Sequence, residues 1–256
     1  MRRHWRVATI GLAALAASAA TVSAAFASVS PPQAAVHGKG PSLNGWNLVV
    51  PVDANGGTSG DAVTLSPARL DSPWLTRTSA GALDFWAPAD GARLGISAHA
   101  RTELRGTRTF TLGQGSANLL ETTTVTQVPS HSQDIIIGQM FPSGTSPFAM
   151  LHYQIAPSGQ GKVYGFIDGQ SSEYVVMEGI PLGATFSDSI KANGSTVTFG
   201  VTYNGHSATK VAQNIGSFIG DTMHFQAGDY QQDLPGSPAS DGGRVSFSKL
   251  SESGVS

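Results

Sequence analysis

Arginine and glutamate alternate with uncharged residues over residues 101–105, which read Arg-Thr-Glu-Leu-Arg. A β-strand projects alternate side chains to one face, about 7 Å apart, so Arg101, Glu103 and Arg105 would form a row. His99 joins the same face one step earlier. Because a guanidinium group pairs with a carboxylate through two parallel hydrogen bonds, the row predicts a binding surface for an anionic polymer. The alternative is a charged strand face that only contacts solvent.

A single amide interrupts the apolar run of residues 135–141, which read Ile-Ile-Ile-Gly-Gln-Met-Phe. The three isoleucines predict a strand of a buried sheet. The amide of Gln139 is then either a structural group that bonds to a loop or a donor to a ligand carboxylate. Both interpretations stay open from this segment alone.

Polar side chains also alternate over residues 224–232. Alternation places four of them on one strand face together with Gly228, and these are His224, Gln226, Tyr230 and Gln232. A face of this composition is unusual for a core, and the central glycine would let a ligand approach the backbone. The alternative is a solvated outer face. Asp229 is predicted to point to the opposite side.

The first 27 residues have the features of a secretory signal peptide. Arg2, Arg3 and Arg6 precede an apolar, alanine-rich run, and Ala25-Phe26-Ala27 offers a small-x-small cleavage site. We predict an exported protein with a flexible mature N-terminus at residues 28–43 and one domain over residues 44–256. Removal of the first 27 residues leaves 12 basic and 17 acidic residues, which argues against nucleic acid as a partner. No second apolar run is long enough to span a membrane.

The remaining composition predicts an all-β domain. The chain has no cysteine and only five Glu and five Lys, so disulfides are excluded and good helix formers are scarce. Asn193-Gly194 and Asn204-Gly205 are typical of hairpin turns. Many short strands with turn signals between them favour a two-sheet β-sandwich or jelly roll, with an open groove on one concave sheet. The clearest predicted strands are residues 119–128, 134–141, 148–155, 162–167, 173–177, 196–203, 223–232 and 244–250.

Together, the three polar segments resemble polysaccharide lyase family 7, the alginate lyases with a β-jelly-roll fold. That family carries an Arg-Ser/Thr-Glu-Leu/Val-Arg strand, a Gln-Ile-His strand and a Tyr-Phe-Lys-Ala-Gly-Val/Ile-Tyr-Asn-Gln strand, in this order. Residues 101–105 match the first motif, residues 139–141 read Gln-Met-Phe, and residues 224–232 match the third in part. Further similarity is present at residues 46–48, 51–53 and 85–88, so the resemblance covers nearly all of the mature chain.

The resemblance implies β-elimination on a 1,4-linked polyuronate without a metal or other cofactor. In the family, the first Arg of the first motif and the Gln of the second stabilise charge that develops at the substrate carboxylate, as an oxyanion hole does. These residues correspond to Arg101 and Gln139. The later Tyr of the third motif corresponds to Tyr230, which removes the C5 proton and donates a proton to the O4 leaving group.

Two positions depart from the family pattern. Phe141 stands in place of the His of the second motif, and Gln226 stands in place of the Lys of the third. In mannuronate and glucuronate the C5 proton and O4 leave from the same side, so one Tyr can act as base and acid. In guluronate they leave from opposite sides, and a second group is required. The loss of the His therefore predicts activity on mannuronate-rich alginate or a glucuronan-like polymer, with little on polyguluronate.

Seven further residues are predicted to bind the substrate, and these are His99, Glu103, Arg105, Phe141, His224, Gln226 and Gln232. Either His224 or His99 could partly replace the lost imidazole. His224 lies six residues from Tyr230, which is roughly 20 Å along a flat strand, so a peripheral substrate contact is the favoured interpretation. Three isolated histidines have no companions at metal-ligand spacing and are interpreted as surface or structural residues: His131, His152 and His206.

We therefore predict a secreted, monomeric polyuronate lyase whose partner is an acidic polysaccharide. The rival hypothesis is a carbohydrate-binding jelly-roll protein that has lost the chemistry together with the family His and Lys. A jelly-roll glycoside hydrolase is disfavoured because it needs two carboxylic acids at the groove. Glu103 is the only Glu in the three motif strands.

Overall fold

The computed structural model describes residues 40–144, 147–236 and 238–256. Within them the chain forms sixteen β-strands and a short 3-10 helix at Gly216–Phe218, with no α-helix. The strands are β1 (Trp46–Val50), β2 (Val63–Leu65), β3 (Leu75–Arg77), β4 (Leu83–Pro88), β5 (Arg101–Gly106), β6 (Phe110–Thr111), β7 (Ser116–Gln127), β8 (Asp134–Pro142), β9 (Ala149–Ile155), β10 (Gly161–Ile167), β11 (Tyr174–Ile180), β12 (Thr185–Asn193), β13 (Thr196–Tyr203), β14 (His206–Val211), β15 (Thr222–Gln231) and β16 (Gly242–Ser253).

The strands form two antiparallel sheets, which confirms the predicted all-β, two-sheet jelly-roll class. The nine-stranded sheet has the order β11-β10-β9-β8-β15-β5-β1-β2, and β6 also pairs with β15. The seven-stranded sheet has the order β14-β13-β12-β7-β16-β4-β3. Strand β15, which comes late in the chain, lies between β5 and β8. This insertion makes the three polar sequence segments neighbours.

Local sequence patterns account for the strands and hairpins. All eight strands predicted from alternation are confirmed to within three residues at either end. Strand β12 is an example of the pattern behind these predictions, because exposed and buried side chains alternate along it. Between β13 and β14, Asn204 and Gly205 have φ values of 52° and 77°, as a two-residue hairpin turn requires. At the other predicted hairpin the turn residues are Gly194 and Ser195.

The hydrophobic core lies between the two sheets. Tyr153 of β9 stacks on Phe186 of β12 with ring centroids 6.0 Å apart, and its hydroxyl donates to the Ile180 carbonyl at 2.9 Å. Phe85 and Phe247, on the neighbouring strands β4 and β16, form an edge-to-face pair at 5.4 Å. A chain without disulfides depends on such apolar burial for its stability.

The predicted signal peptide, residues 1–27, lies outside the described residues, as does most of the predicted flexible segment 28–43. Of that segment the structure describes residues 40–43, where Pro41 is buried and its carbonyl accepts a hydrogen bond from Arg77 Nη2 at 3.0 Å. Ordered packing therefore begins before residue 44. In the described part of the chain, no helix has the length and apolar character needed to span a membrane.

Two carboxyl groups are buried together between the sheets. Glu121 of β7 and Asp188 of β12 are directly paired in the ladder, and Asp188 also accepts a hydrogen bond from Thr123 Oγ1 at 2.5 Å. Burial, and then the Asp188 charge, raise the pKa of Glu121 well above its usual value, and burial also raises the pKa of Asp188. The buried Glu121 carboxyl therefore keeps its proton to a higher pH than an exposed glutamate does.

Replacing Glu121 with Gln is expected to stabilise the protein at neutral and alkaline pH. In the unfolded chain Glu121 ionises near 4.5. The folded chain keeps the proton, so the free energy of unfolding falls as pH rises toward the folded-state pKa. Glutamine cannot ionise, so the variant lacks this pH-dependent loss of stability.

Thermal unfolding of the Glu121→Gln variant across a range of pH values measures this effect. Glu178→Gln, at an exposed position of β11, is the matched control and should leave the pH dependence of stability unchanged. A Glu121→Gln variant whose stability has the same pH dependence as that of the wild type would contradict a raised pKa of Glu121.

Candidate active site

The three polar segments become neighbouring strands in the middle of the nine-stranded sheet. Tyr230 and Gln226 of β15 lie opposite Arg101 and Arg105 of β5. On the other side of β15, Gln226 lies opposite Gln139 of β8. Directly opposed residues of antiparallel strands point to the same side of a sheet. These five side chains therefore share one face.

This face contains a hollow of about 360 Å³. Six predicted site residues line it, namely Arg101, Arg105, Gln139, Phe141, Gln226 and Tyr230. The loop before β5 contributes residues 94–97 to one wall. A second hollow, of about 450 Å³, lies on the seven-stranded sheet and contains none of the predicted site residues. The predicted residues thus converge on the first hollow.

An irregularity in β8 turns Gln139 toward the hollow. Ile135 and Ile137 pack in the core, and simple alternation would send Gln139 the same way. The ladder with β9 shifts register between Ile136 and Gly138, which inserts one extra residue into β8. Gln139 consequently faces the hollow rather than the core.

Glu103 lies beneath the hollow and holds two of its residues. Its carboxylate is fully buried. Oε2 accepts a hydrogen bond from Arg101 Nη1 at 2.8 Å, and Oε1 accepts one from Gln139 Nε2 at 2.5 Å. Charge-assisted bonds of this kind fix the orientation of both partners. The structure therefore gives Glu103 a positioning role rather than the predicted contact with substrate.

Arg101 and Tyr230 are in direct contact. The Arg101 Cζ atom lies 3.5 Å from the centroid of the Tyr230 ring, which is a close cation–π arrangement. Arg101 Nη2 also donates to Ser97 Oγ at 2.9 Å. Its Nε atom is buried and has no hydrogen-bond partner among the described residues. The guanidinium group is thus held on three sides beside the phenol.

A chain of hydrogen bonds continues from Gln139 along the floor of the hollow. Gln139 Nε2 also approaches Gln226 Oε1 at 3.4 Å, and Gln226 Nε2 donates to His224 Nε2 at 3.1 Å. Burial, assisted by the nearby Arg105 charge, lowers the pKa of His224 to about 4. The His224 imidazole is therefore neutral at neutral pH, in agreement with its role as an acceptor.

Phe141 and Arg105 form the end of the hollow near His224. Phe141 lies opposite His224 in the ladder, with ring centroids 5.7 Å apart, and Arg105 Cζ lies 5.9 Å from the Phe141 ring. Arg105 has no side-chain hydrogen bond or ion pair to any other residue in the described ranges. Its guanidinium group is therefore available to an anion in the hollow.

Two further predicted residues lie beyond the hollow. His99 Nδ1 donates to the Asp233 carbonyl at 2.9 Å, and its ring centroid is 6.1 Å from that of Tyr230. Gln232 Nε2 donates to the carbonyls of Tyr230 and Gln231 at 2.9 and 3.2 Å. His99 thus flanks Tyr230, whereas the Gln232 amide is directed back to its own strand.

Close strand packing explains Gly228, interpreted from sequence as a point of ligand approach. A Cβ atom built at Gly228 would collide with the backbone of β5, at the Thr102 carbonyl and at Glu103 Cα. The glycine therefore allows β15 and β5 to approach each other.

Sequence reasoning missed Ser97 and the loop around it. Ser97 accepts a hydrogen bond from Arg101 and lies four residues earlier, in a loop without an alternating pattern.

His152, interpreted from sequence as surface or structural, is buried on β9. Its Nδ1 atom lies 3.1 Å from Asp134 Oδ1, and Tyr164 donates to Asp134 Oδ2 at 2.6 Å. These contacts give His152 a structural role.

Three side chains that could bind a metal ion lie close together, and these are His131, Asp233 and Asp241, although His131 is far from the two aspartates in sequence. The two aspartate carboxylates already accept hydrogen bonds from the backbone. Asp233 accepts from the amides of His131 and Ser132, and Asp241 accepts from the amide of Ser130. Hydrogen bonding within the loops accounts for this cluster.

The chain is a two-sheet jelly-roll protein with a polar hollow on one sheet, and comparison with known proteins identifies its family. A family model described as alginate lyase matches residues 42–253. The chain belongs to this alginate lyase family, and it is a polysaccharide lyase.

Individual relatives agree with this assignment. An alginate lyase from Klebsiella pneumoniae is 27% identical over 272 residues, which cover 81% of this chain and 89% of the relative. A crystallised alginate lyase from Pseudomonas aeruginosa is 31% identical, with a TM-score of 0.72, and the match covers 83% of this chain and 99% of that chain. Another, described as a member of polysaccharide lyase family 7, is 25% identical, with a TM-score of 0.66 and coverage of 82% and 95%.

Proposed function

We propose that the chain cleaves the 1,4-glycosidic bonds of mannuronate-rich alginate, or of a glucuronan-like polymer, by β-elimination. The observation that carries this proposal is the contact between the Arg101 guanidinium group and the Tyr230 ring, in the same hollow as Gln139. A cation, an amide and a phenol thereby surround a space that can hold one sugar acid.

Arg101 and Gln139 act at the substrate carboxylate. The C5 proton is a poor acid while the neighbouring carboxylate carries its full charge, and hydrogen bonds from a cation stabilise the enolate-like charge that develops. Arg101 keeps N–H groups beyond those it donates to Glu103 and Ser97. The 3.4 Å contact of Gln139 Nε2 with Gln226 Oε1 is long for a hydrogen bond. The amide hydrogen on that side of Gln139 is therefore available to a stronger acceptor.

Tyr230 moves the protons. The Tyr230 oxygen takes up the C5 proton as the C5–H bond breaks, and the electron pair of that bond forms the C4–C5 double bond. The C4–O4 bond breaks at the same time, and O4 receives the proton from Tyr230. One tyrosine can both remove the C5 proton and protonate O4 when the two lie on the same side of the sugar, as in mannuronate and glucuronate. Phe141 cannot supply a second base, which is why we propose little activity on polyguluronate.

The relatives support an acidic polysaccharide as the ligand. A variant of a family 7 alginate lyase that is 25% identical to this chain was crystallised with the substrate GGMG. We also propose that the protein is exported, from the character of residues 1–27, and that it acts as a monomer. N-terminal sequencing of protein recovered from the culture medium tests the export. The elution volume in size-exclusion chromatography tests the monomeric state.

Ultraviolet absorbance of the new C4–C5 double bond tests the main proposal. Purified polymannuronate or glucuronan should release unsaturated products rapidly, and polyguluronate should release few. A non-catalytic binding protein would give no absorbance with any polymer. Fast release from polyguluronate would contradict the proposed specificity while leaving the lyase assignment intact.

A further inference from the structure

A second pair of side chains lies directly behind Tyr230 and Arg101, inside the protein. Along β15 and β5 the next opposed pair is Asp229 and Thr102. Because successive pairs alternate in direction, these side chains point between the sheets. Both residues are fully buried. A polar group in such a place needs hydrogen-bond partners.

The partners are the two polar atoms of one peptide group in the opposite sheet. Asp229 Oδ2 accepts a hydrogen bond from the Ala87 amide at 3.0 Å, and Thr102 Oγ1 donates to the Trp86 carbonyl at 2.6 Å. Trp86 and Ala87 are consecutive residues of β4. We call Asp229 and Thr102, bound to this peptide group, the inter-sheet clamp.

The surroundings are shaped for the acid. Gly243 of β16 lies opposite Ala87, and a Cβ atom built at Gly243 would overlap Asp229 Oδ1. Burial raises the pKa of Asp229 well above its usual value. The side-chain oxygen of an asparagine could accept the same hydrogen bond from the Ala87 amide. The third family motif has Val or Ile in place of Asp229, whereas Thr102 fits the first motif, so the Asp229 half of the clamp departs from the family pattern.

We propose that Asp229 and Thr102 are positioning residues for the elimination, holding β15 and β5 against β4 so that Tyr230 and Arg101 keep their contact. This inference rests on the proposed function. Neither side chain touches the substrate, because both lie on the interior side of the sheet. Displacing a reacting group by about 1 Å can cost on the order of 100-fold in rate, and each clamp residue is covalently next to a reacting one.

Paired substitutions test the clamp. Asp229→Val and Thr102→Val each remove one hydrogen bond with little change in volume, whereas Asp229→Asn and Thr102→Ser keep it. The valine variants should lose about 10- to 100-fold in kcat on polymannuronate with KM little changed, and the matched variants should stay near the wild type. Circular dichroism and thermal unfolding check that all four fold. Valine variants with normal kcat, or equal losses within each pair, would overturn the proposal.

A second measurement separates positioning from general damage. In a Tyr230→Phe background, Asp229→Val should cause no further loss of the residual activity, because Asp229 acts through the hydroxyl of its neighbour Tyr230. A full additional loss in that background would overturn the clamp proposal. Failure of the proposed function would show differently, as no ultraviolet absorbance from the wild type with any of the polymers.

Discussion

Replacing Tyr230 with Phe is expected to lower kcat by about a thousandfold or more, while substrate affinity stays close to that of the wild type. The variant keeps the ring on which Arg101 packs and removes only the hydroxyl. General acid–base catalysis by one group contributes about 100- to 10,000-fold, and here the same hydroxyl both removes and donates a proton. Initial rates of ultraviolet absorbance on polymannuronate, with binding measured by calorimetry, give the two quantities.

Tyr203→Phe is the matched control for this experiment. Tyr203 ends β13 in the seven-stranded sheet, away from the hollow, so its hydroxyl should be dispensable. A Tyr230→Phe variant that retains more than a tenth of wild-type kcat would show that another group moves the protons. His99, whose ring lies 6.1 Å from that of Tyr230, would then be the first residue to replace.

Replacing Phe141 with His is expected to raise kcat/KM on polyguluronate by about 100-fold, with a much smaller change on polymannuronate. Phe141 lines the hollow with Tyr230 and Gln139, so an imidazole there enters the same space as the reacting sugar. Guluronate needs a base on the side opposite O4, and a positioned base contributes about 100-fold or more. Rates measured on purified polyguluronate and purified polymannuronate give the change in kcat/KM on each polymer.

Phe141→Leu separates this chemistry from a simple change of shape. Leucine is smaller than phenylalanine and adds no base, so the Phe141→Leu variant should have the same polymer preference as the wild type. Equal gains on polyguluronate for the His and Leu variants would mean that Phe141 excludes guluronate by size. Rapid cleavage of polyguluronate by the wild type would remove the premise altogether.

The departures from the family pattern lie together. Phe141 and His224 are opposite one another, and His224 accepts a hydrogen bond from Gln226. The His224 imidazole is neutral because burial lowers its pKa to about 4. With the family His and Lys absent, Arg105 supplies the positive charge at this end of the hollow. This end therefore offers the substrate one cation and two aromatic rings.

Much of the fold could be predicted from the sequence because strand alternation is a local property. The burial pattern of β12 and the positive φ of Asn204 and Gly205 follow from residues within a few positions of each other. The inward direction of Asp229 followed from the same rule and is confirmed by its bond to Ala87. The candidate site residues Arg101, Gln139 and Tyr230 were found through their motifs.

Local patterns could not predict how the site residues touch one another. Gln139 faces the hollow only because β8 carries an extra residue before it. Glu103 was expected to meet the substrate, yet both its oxygens bind protein groups. The prediction that His224 is a peripheral substrate contact used only the distance along one strand. The pairing with the neighbouring strand, which brings Phe141 beside His224, could not be predicted in this way.

The sequence by itself determined the strands, the sheet faces of most side chains and the chemical groups available for the reaction. These follow from the alternation of side chains and from residue type, which need no knowledge of distant parts of the chain. Only the tertiary structure decided that β15 enters between β5 and β8, and that Arg101 packs on Tyr230. Pairing between strands more than a hundred residues apart depends on the whole core, because no local sequence pattern specifies which distant strand becomes a neighbour.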